Sequence, residues 1–242
     1  MDARFSRNEI IYGSAACSRI AKASVAICGV GAVGSFAAEA LARLGVGNFF
    51  LFDPDSVEIS NINRQLCALD STVGKLKVDV VKSRLLDINP NARVEAFAEF
   101  ISSDNMGEIF RCNPSVVVDA ADSLAAKCDL LCACVNNKIR VVSSMGAARR
   151  KDTEKVFKAD IFSTSVCPLA ARIRKELRSR GVREKIPCVF STEEPANGTH
   201  LGGGDSRKVL GSAVQVAGIF GLKLADLALG EILTEKVCDN PL

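Results

Sequence analysis

The chain has 242 residues, 48% of them hydrophobic, enough to enclose one large core, and no Pro- or Gly-rich linker divides it. Aromatic residues make up 5% and Trp is absent, which argues against a stacked-aromatic platform for nucleic acid and leaves charge as the means of holding a polyanion. The net charge is +3, and the ten cysteines, with no C-x-x-C pair and no N-terminal signal peptide, read as reduced thiols of a cytoplasmic protein, with neither disulfides nor a cysteine-held zinc ion expected.

Arg4 to Ala21 predicts an N-terminal helical arm within residues 1–22. Ser24 to Cys28 is a short apolar, β-rich run; Gly29, Gly31 and Gly34 follow as G-x-G-x-x-G, and Ser35 to Leu44 carries apolar residues at helical spacing. A side chain in such a turn would keep the backbone away from phosphates, and a helix N-terminus offers unpaired N–H groups to an anion. A second β-rich run, Asn48 to Phe52, ends in Asp53, where an acid can bind ribose hydroxyls. A nucleoside with a free ribose is the expected ligand.

The next loop, D-P-D-S-V-E-I-S-N-I-N-R-Q, sets Asp55, Asn61, Asn63, Arg64 and Gln65 beside that site. A dehydrogenase has no general reason to place them there, and with one Tyr and one His in the chain a hydride-transfer acid/base is hard to find. Nucleotidyl transfer does have a reason, because an arginine can bind phosphate oxygens bidentately as their charge builds. Lys77, in G-K-L-K, would supply a second positive charge; without the loop it reads as a solvated helix lysine. ATP is expected, not NAD.

Lys75–Ile88, Arg93–Phe100, Ser115–Asp119, Leu124–Asn136 and Arg140–Ser144 continue the alternation. The expected fold is α/β, a Rossmann-like doubly wound, mostly parallel sheet with helices on both faces, its nucleotide-binding core spanning 23–145. Asp119 and Asp122 fall at the C-terminal end of a strand, the edge where open α/β sheets bind ligands. A hard cation such as Mg2+ needs only one or two carboxylates plus phosphate oxygens, so Asp122 is the candidate metal ligand; the alternative for it is an N-cap.

Residues 146–242 form an appended α+β part of the same domain, with a strand at Lys155–Ile161, a helix at Pro168–Arg180 and a strand at Pro187–Ser191. In that helix Leu169, Ile173 and Leu177 recur every four residues, turning one face to the core and Arg174 and Arg178 outward. These belong to a basic segment, Arg149 to Lys185, that suits a polyanionic partner or a solvated basic face. Cys167 and Cys188 read as small buried hydrophobes, and His200, between Glu193 and Lys208, as a loop residue with a general base as the alternative. Val209 to Leu229 raises the question of a membrane span. Gln215, Lys223 and Asp226 interrupt it and its small residues suit close packing, so a buried or dimer-interface helix is expected, with peripheral membrane association left open.

The motifs GVGAVG, DPDSVEISNINRQ, GKLKVDV and VVVDAADS, across about Arg4 to Met145, resemble the ThiF/MoeB/HesA superfamily, bacterial relatives of ubiquitin-activating enzymes. The resemblance implies activation of a carboxylate by attack on the α-phosphate of ATP, with Asp53 holding the ribose, Arg64 and Lys77 the phosphates and Asp122 the magnesium. Arg7, in RFSRNEIIYG, resembles an arginine that reaches into the partner subunit's site, implying a homodimer. SMGAARRKDTEKVFKADI, STSVCPLAARIRKELRSRG and IPCVFSTEEP resemble the threonylcarbamoyladenosine dehydratases. That subgroup implies tRNA and not DNA as the nucleic acid, adenylation and cyclisation of its threonylcarbamoyl group, and sulfur-transfer partners of the cysteine desulfurase type. The alternatives are an activating enzyme for a ubiquitin-like sulfur-carrier protein and a non-catalytic nucleotide-binding partner in sulfur trafficking.

Overall fold

The computed structural model describes residues 2–196 and 210–234. His200, the glycine-rich loop 198–204 and Val209 lie outside the described residues. Seven strands form one sheet: β1 Ser24–Cys28, β2 Asn48–Phe52, β3 Arg93–Phe97, β4 Val116–Asp119, β5 Val141–Ser144, β6 Val156–Asp160 and β7 Pro187–Ser191, in the order β3-β2-β1-β4-β5-β7-β6. All neighbours are parallel except β6 with β7. The C-terminal α+β part therefore extends the sheet of the N-terminal part.

Strand side chains alternate between two cores, as the pleat requires. Val25, Ile27, Phe49, Leu51, Val116 and Val118 face one core, while Ala26, Cys28, Phe50, Phe52 and Val117 face the other. The strands are apolar on both faces because both are covered. The first core is closed by helices α2 Ser14–Lys22, α3 Gly34–Leu44, α4 Lys77–Ile88 and α8 Val214–Leu233; the second by α5 Met106–Arg111, α6 Leu124–Asn136 and α7 Pro168–Ser179.

The arm is helical as expected, in two α-helical pieces: Gly13 takes φ +79° between α1, Ser6–Tyr12, and α2, and only α2 buries side chains. One expectation is revised. The strand expected to reach Phe100 stops at Phe97, and the following turn is held by Asn105, which donates to the Phe100 carbonyl at 2.8 Å.

The long apolar segment is a core helix. α8 packs on α3 and across β4, β5 and β7, and among the described residues no helix is long and apolar enough to cross a membrane. Its interrupting charges meet strand β6: Lys223 bonds the Val156 carbonyl and Asp226 pairs with Lys158. Gly221 allows the close approach to α3, since a Cβ there would stand 2.5 Å from both the Phe36 Cβ and the Val33 carbonyl oxygen. Gly221→Leu is expected to cost about 3 kcal/mol by overpacking. Gly230→Ala, on the same helix with nothing within 4 Å, should gain roughly 0.5–1 kcal/mol. Denaturant unfolding of the two variants checks both signs.

Candidate functional site

The C-terminal ends of β1, β2, β4 and β5 open on a cavity of about 580 Å³. Its wall includes Gly29, Gly31, Asp53, Asp55, Arg64, Gln65, Lys77 and Asp122, together with the apolar Phe100, Met145, Leu169 and Leu210. Residues from nine separate stretches of sequence meet here, most of them because parallel strands end on the same edge.

The glycines divide the work. Gly29 has φ +90°, and a Cβ on it would stand 2.8 Å from the Ala120 carbonyl oxygen; a Cβ on Gly34 would collide with the Gly29 carbonyl oxygen at 1.8 Å. Both are demanded by backbone packing. Gly31 differs: its nearest neighbour would be the Gln65 side chain at 3.7 Å, so its missing side chain keeps the cavity open. α3 begins just beyond, at Gly34, with no side-chain cap from its N-cap Val33, which lines the cavity, and the Ser35 amide of its first turn bonds the Gly31 carbonyl at 3.0 Å.

Asp53 is buried, and its two oxygens accept from the backbone N–H of Val30 at 2.8 Å and of Asp55 at 3.0 Å. Burial raises its pKa, against the lowering effect of those two amides and Lys77. It thus ties the glycine turn to β2, and each carboxylate oxygen keeps a second lone pair for a hydroxyl.

Lys77 opens α4 and is buried along its stem, with Nζ 2.7 Å from the exposed carboxylate of Asp55. Arg64 donates to the Ser60 carbonyl at 2.8 Å and to Asn63 Oδ1 at 2.9 Å, and Asn63 in turn donates to the Ser212 carbonyl at 3.0 Å. Asn63 is therefore a clip between the arginine loop and the segment before α8. Asn61 is turned away from the cavity: it accepts from Glu58 N–H at 3.2 Å and closes its own 3-10 turn, Ile59–Asn61.

Asp122 is exposed on the cavity wall. It does not cap α6; Ser123 does, accepting from Ala126 N–H. Asp119 is not in the cavity. It is fully buried, paired with Lys127 Nζ at 2.7 Å and accepting from Ser143 Oγ at 2.5 Å. Sequence reading missed Lys127 because an interior lysine in a helix looks like any solvated one; the pairing exists only once β4 and α6 are adjacent. Arg7 lies exposed on α1 and is not part of the cavity wall.

The basic segment splits in two. Arg150 is buried and stitches loops together through the Gly146 and Glu193 carbonyls, and Arg149 bonds the Pro195 carbonyl. On α7, Leu169 lines the cavity and Ile173 and Leu177 are core, as their spacing predicts. Arg174 is not turned outward as expected: it is half-buried and bonds Thr164. Arg172, Lys175 and Arg178 remain exposed, Arg178 over the Phe162 ring at 5.3 Å.

Cys167 and Cys188 are both buried. Burial pushes the thiols of Cys134 and Cys188 up to about 12, so neither is a nucleophile at neutral pH. Among the described residues no group of three or more His, Cys, Asp and Glu could hold a metal ion. Brief treatment of folded protein with iodoacetamide at pH 7.5 should leave Cys134 and Cys188 unlabelled and denaturation should expose both, as peptide mass spectrometry will read.

Comparison with known proteins agrees with this geometry. The tRNA threonylcarbamoyladenosine dehydratase of Bacillus subtilis is 43% identical over 192 residues, covering 79% of this chain and 76% of that one. Its namesake in Escherichia coli is 39% identical over 197 residues, covering 78% and 74%. A crystal structure of the E. coli tRNA N6-threonylcarbamoyladenosine dehydratase in complex with ATP superposes with a TM-score of 0.89 at 36% identity, covering 96% of each chain. The ThiF family model matches residues 5–231. With the glycine turn, the arginine loop and the seven-stranded sheet all in place, this chain belongs to the ThiF family.

Proposed function

We propose that this chain uses ATP to adenylate the carboxylate of a threonylcarbamoyl-modified adenosine in tRNA and so drives its cyclisation, a net dehydration. The observation that carries this reading is the convergence of Arg64, Lys77 and Asp122 on one cavity built over a glycine turn. A carboxylate oxygen of the substrate attacks the α-phosphorus, and the bond from that phosphorus to the departing pyrophosphate breaks. The carbamoyl group of the same side chain then attacks the activated carbonyl carbon and gives up a proton, and AMP leaves with the former carboxylate oxygen. Nucleophile and electrophile both belong to the substrate, so no enzyme thiol is required, in keeping with the burial of Cys167 and Cys188.

Arg64 and Lys77 neutralise charge on the phosphates, where preorganised donors act most strongly. Each already has oxygen partners, Ser60 and Asn63 for Arg64 and Asp55 for Lys77, so the side chains are aimed before a nucleotide arrives. The α3 amides receive phosphate and Asp53 the ribose. Asp122, exposed and with no hydrogen bond or ion pair to another described residue, suits a magnesium ion that takes its remaining ligands from phosphate and water. When bound, that ion would offset phosphate charge.

The exposed bases of α7 begin one turn from Leu169 on the cavity wall, which supports Arg172 and Lys175 as contacts for a tRNA backbone with its modified base in the cavity. The α1 helix exposes Ile10 and Ile11 at 85% and 75%, apolar surface suited to a second copy of the chain, with Arg7 on the same short helix as the residue delivered across a homodimer. A reducing cytoplasm fits the unpaired thiols.

Nucleoside mass spectrometry of tRNA carrying the open-chain modification, incubated with protein, ATP and magnesium, tests the reaction. Loss of one water from the modified nucleoside is expected, and Arg64→Ala or Asp122→Ala should slow it about a hundredfold or more. An unchanged nucleoside mass with the parent protein would overturn the reading.

A further inference from the structure

We propose that Lys127, which does not reach the cavity, is a positioning residue for it: through Asp119 it sets the peptide that carries Asp122 and closes on Gly29. The inference rests on the nucleotide reading of the cavity and adds to it a group outside the wall.

The geometry is specific. Lys127 and Asp119 have no exposed side-chain surface, and their ion pair is 2.7 Å long. Ser143 Oγ donates to the same carboxylate oxygen, Oδ2, at 2.5 Å, and Lys127 Nζ lies 3.4 Å from that hydroxyl. The other oxygen, Oδ1, accepts from the Ala121 backbone N–H at 3.3 Å. One carboxylate is thus bound on one side by α6 and β5 and on the other by the loop that follows β4. That loop, from Ala120 to Ser123, is cavity wall throughout. Ala120 begins it by donating to the Cys28 carbonyl at 2.8 Å, and its own carbonyl is the atom that a Cβ on Gly29 would strike. Ser123 ends it as the cap of α6, one turn before Lys127, whose N–H bonds the Ser123 carbonyl at 3.0 Å.

Stability alone gives little reason for this arrangement. A buried ion pair recovers its desolvation cost only with good geometry, and replacement of both partners by apolar residues is often neutral or stabilising. A pair with one oxygen committed to a loop N–H does something an apolar pair cannot: it fixes a backbone. Outer partners that orient a functional group commonly change affinity or activity about 10–100-fold when removed.

The test uses Ser143→Ala, which removes one hydroxyl and keeps the charge pair, and the double variant Lys127→Met with Asp119→Leu, which leaves no buried charge unpaired. Amide hydrogen exchange of the peptide covering 119–126 is read without ligand, together with the melting temperature and ATP affinity with and without magnesium. Both variants are expected to exchange faster in 119–126 than the parent, with exchange in β1 and β2 unchanged, and to bind magnesium-ATP about tenfold more weakly or worse. Parent-like exchange and affinity in Ser143→Ala, or in a double variant that melts like the parent, would reduce the cluster to a structural pair and overturn the proposal. Should the double variant not fold, Ser143→Ala decides by itself. A parent protein that binds no ATP would sink the nucleotide reading instead, while exchange at 119–126 still reports whether the cluster orders the loop.

Discussion

Two backbones pass each other at the head of the sheet with no room for a side chain: the turn after β1, at Gly29, and the peptide after β4, at Ala120. Much of the site follows from that approach. It requires φ > 0 at Gly29, which aims the chain into α3, and it requires Gly34 one turn later so that α3 can settle on the Gly29 carbonyl. It also brings the β4 loop against the glycine turn, so Asp122 comes to face a cavity whose opposite side is supplied by β2 and the arginine loop. A parallel sheet alone would bring strand ends together; the missing side chains bring them within reach of one small ligand.

The charges of the protein sort by how far each is withdrawn from water. Lys127 is wholly buried and fully paired, Lys77 is buried along its stem with an exposed acid at its tip, and Arg64 is half-buried with carbonyl and amide partners. Withdrawal strengthens each interaction and raises the cost of leaving it unmade. On the cavity wall, Lys77 and Arg64 are therefore held by neighbouring side chains and carbonyls. On α7, Arg172 and Lys175 are exposed, while the equally exposed Arg178 lies over the Phe162 ring.

Local information reached far in this chain. The fold class, the glycine turn, the strands Ser24–Cys28, Asn48–Phe52 and Pro187–Ser191 and the helix Leu124–Asn136 stand where their sequence patterns put them, because period-2 and period-3.6 burial and glycine's φ freedom are properties of short stretches. The gathering of Asp53, Arg64, Lys77 and Asp122 could be anticipated too, since motifs at strand ends of a parallel sheet must converge on one edge. The break of the arm at Gly13 and the early end of β3 fall at element boundaries, where local preference is weakest.

What the sequence by itself determined was thus the kind of elements, their order and the edge on which function would collect. Which of two similar residues does which task was decided only by the tertiary structure. Asp119 and Asp122 stand three residues apart, yet one is a buried anchor and the other faces the cavity; Arg174 and Arg178 share a helix, yet one bonds Thr164 and the other covers a ring. Asn61 and Asn63 likewise divide, one closing its own turn and the other reaching the segment before α8. The physical reason is the same each time: a polar side chain takes its role from the partner across the fold that satisfies it, and that partner is distant in sequence.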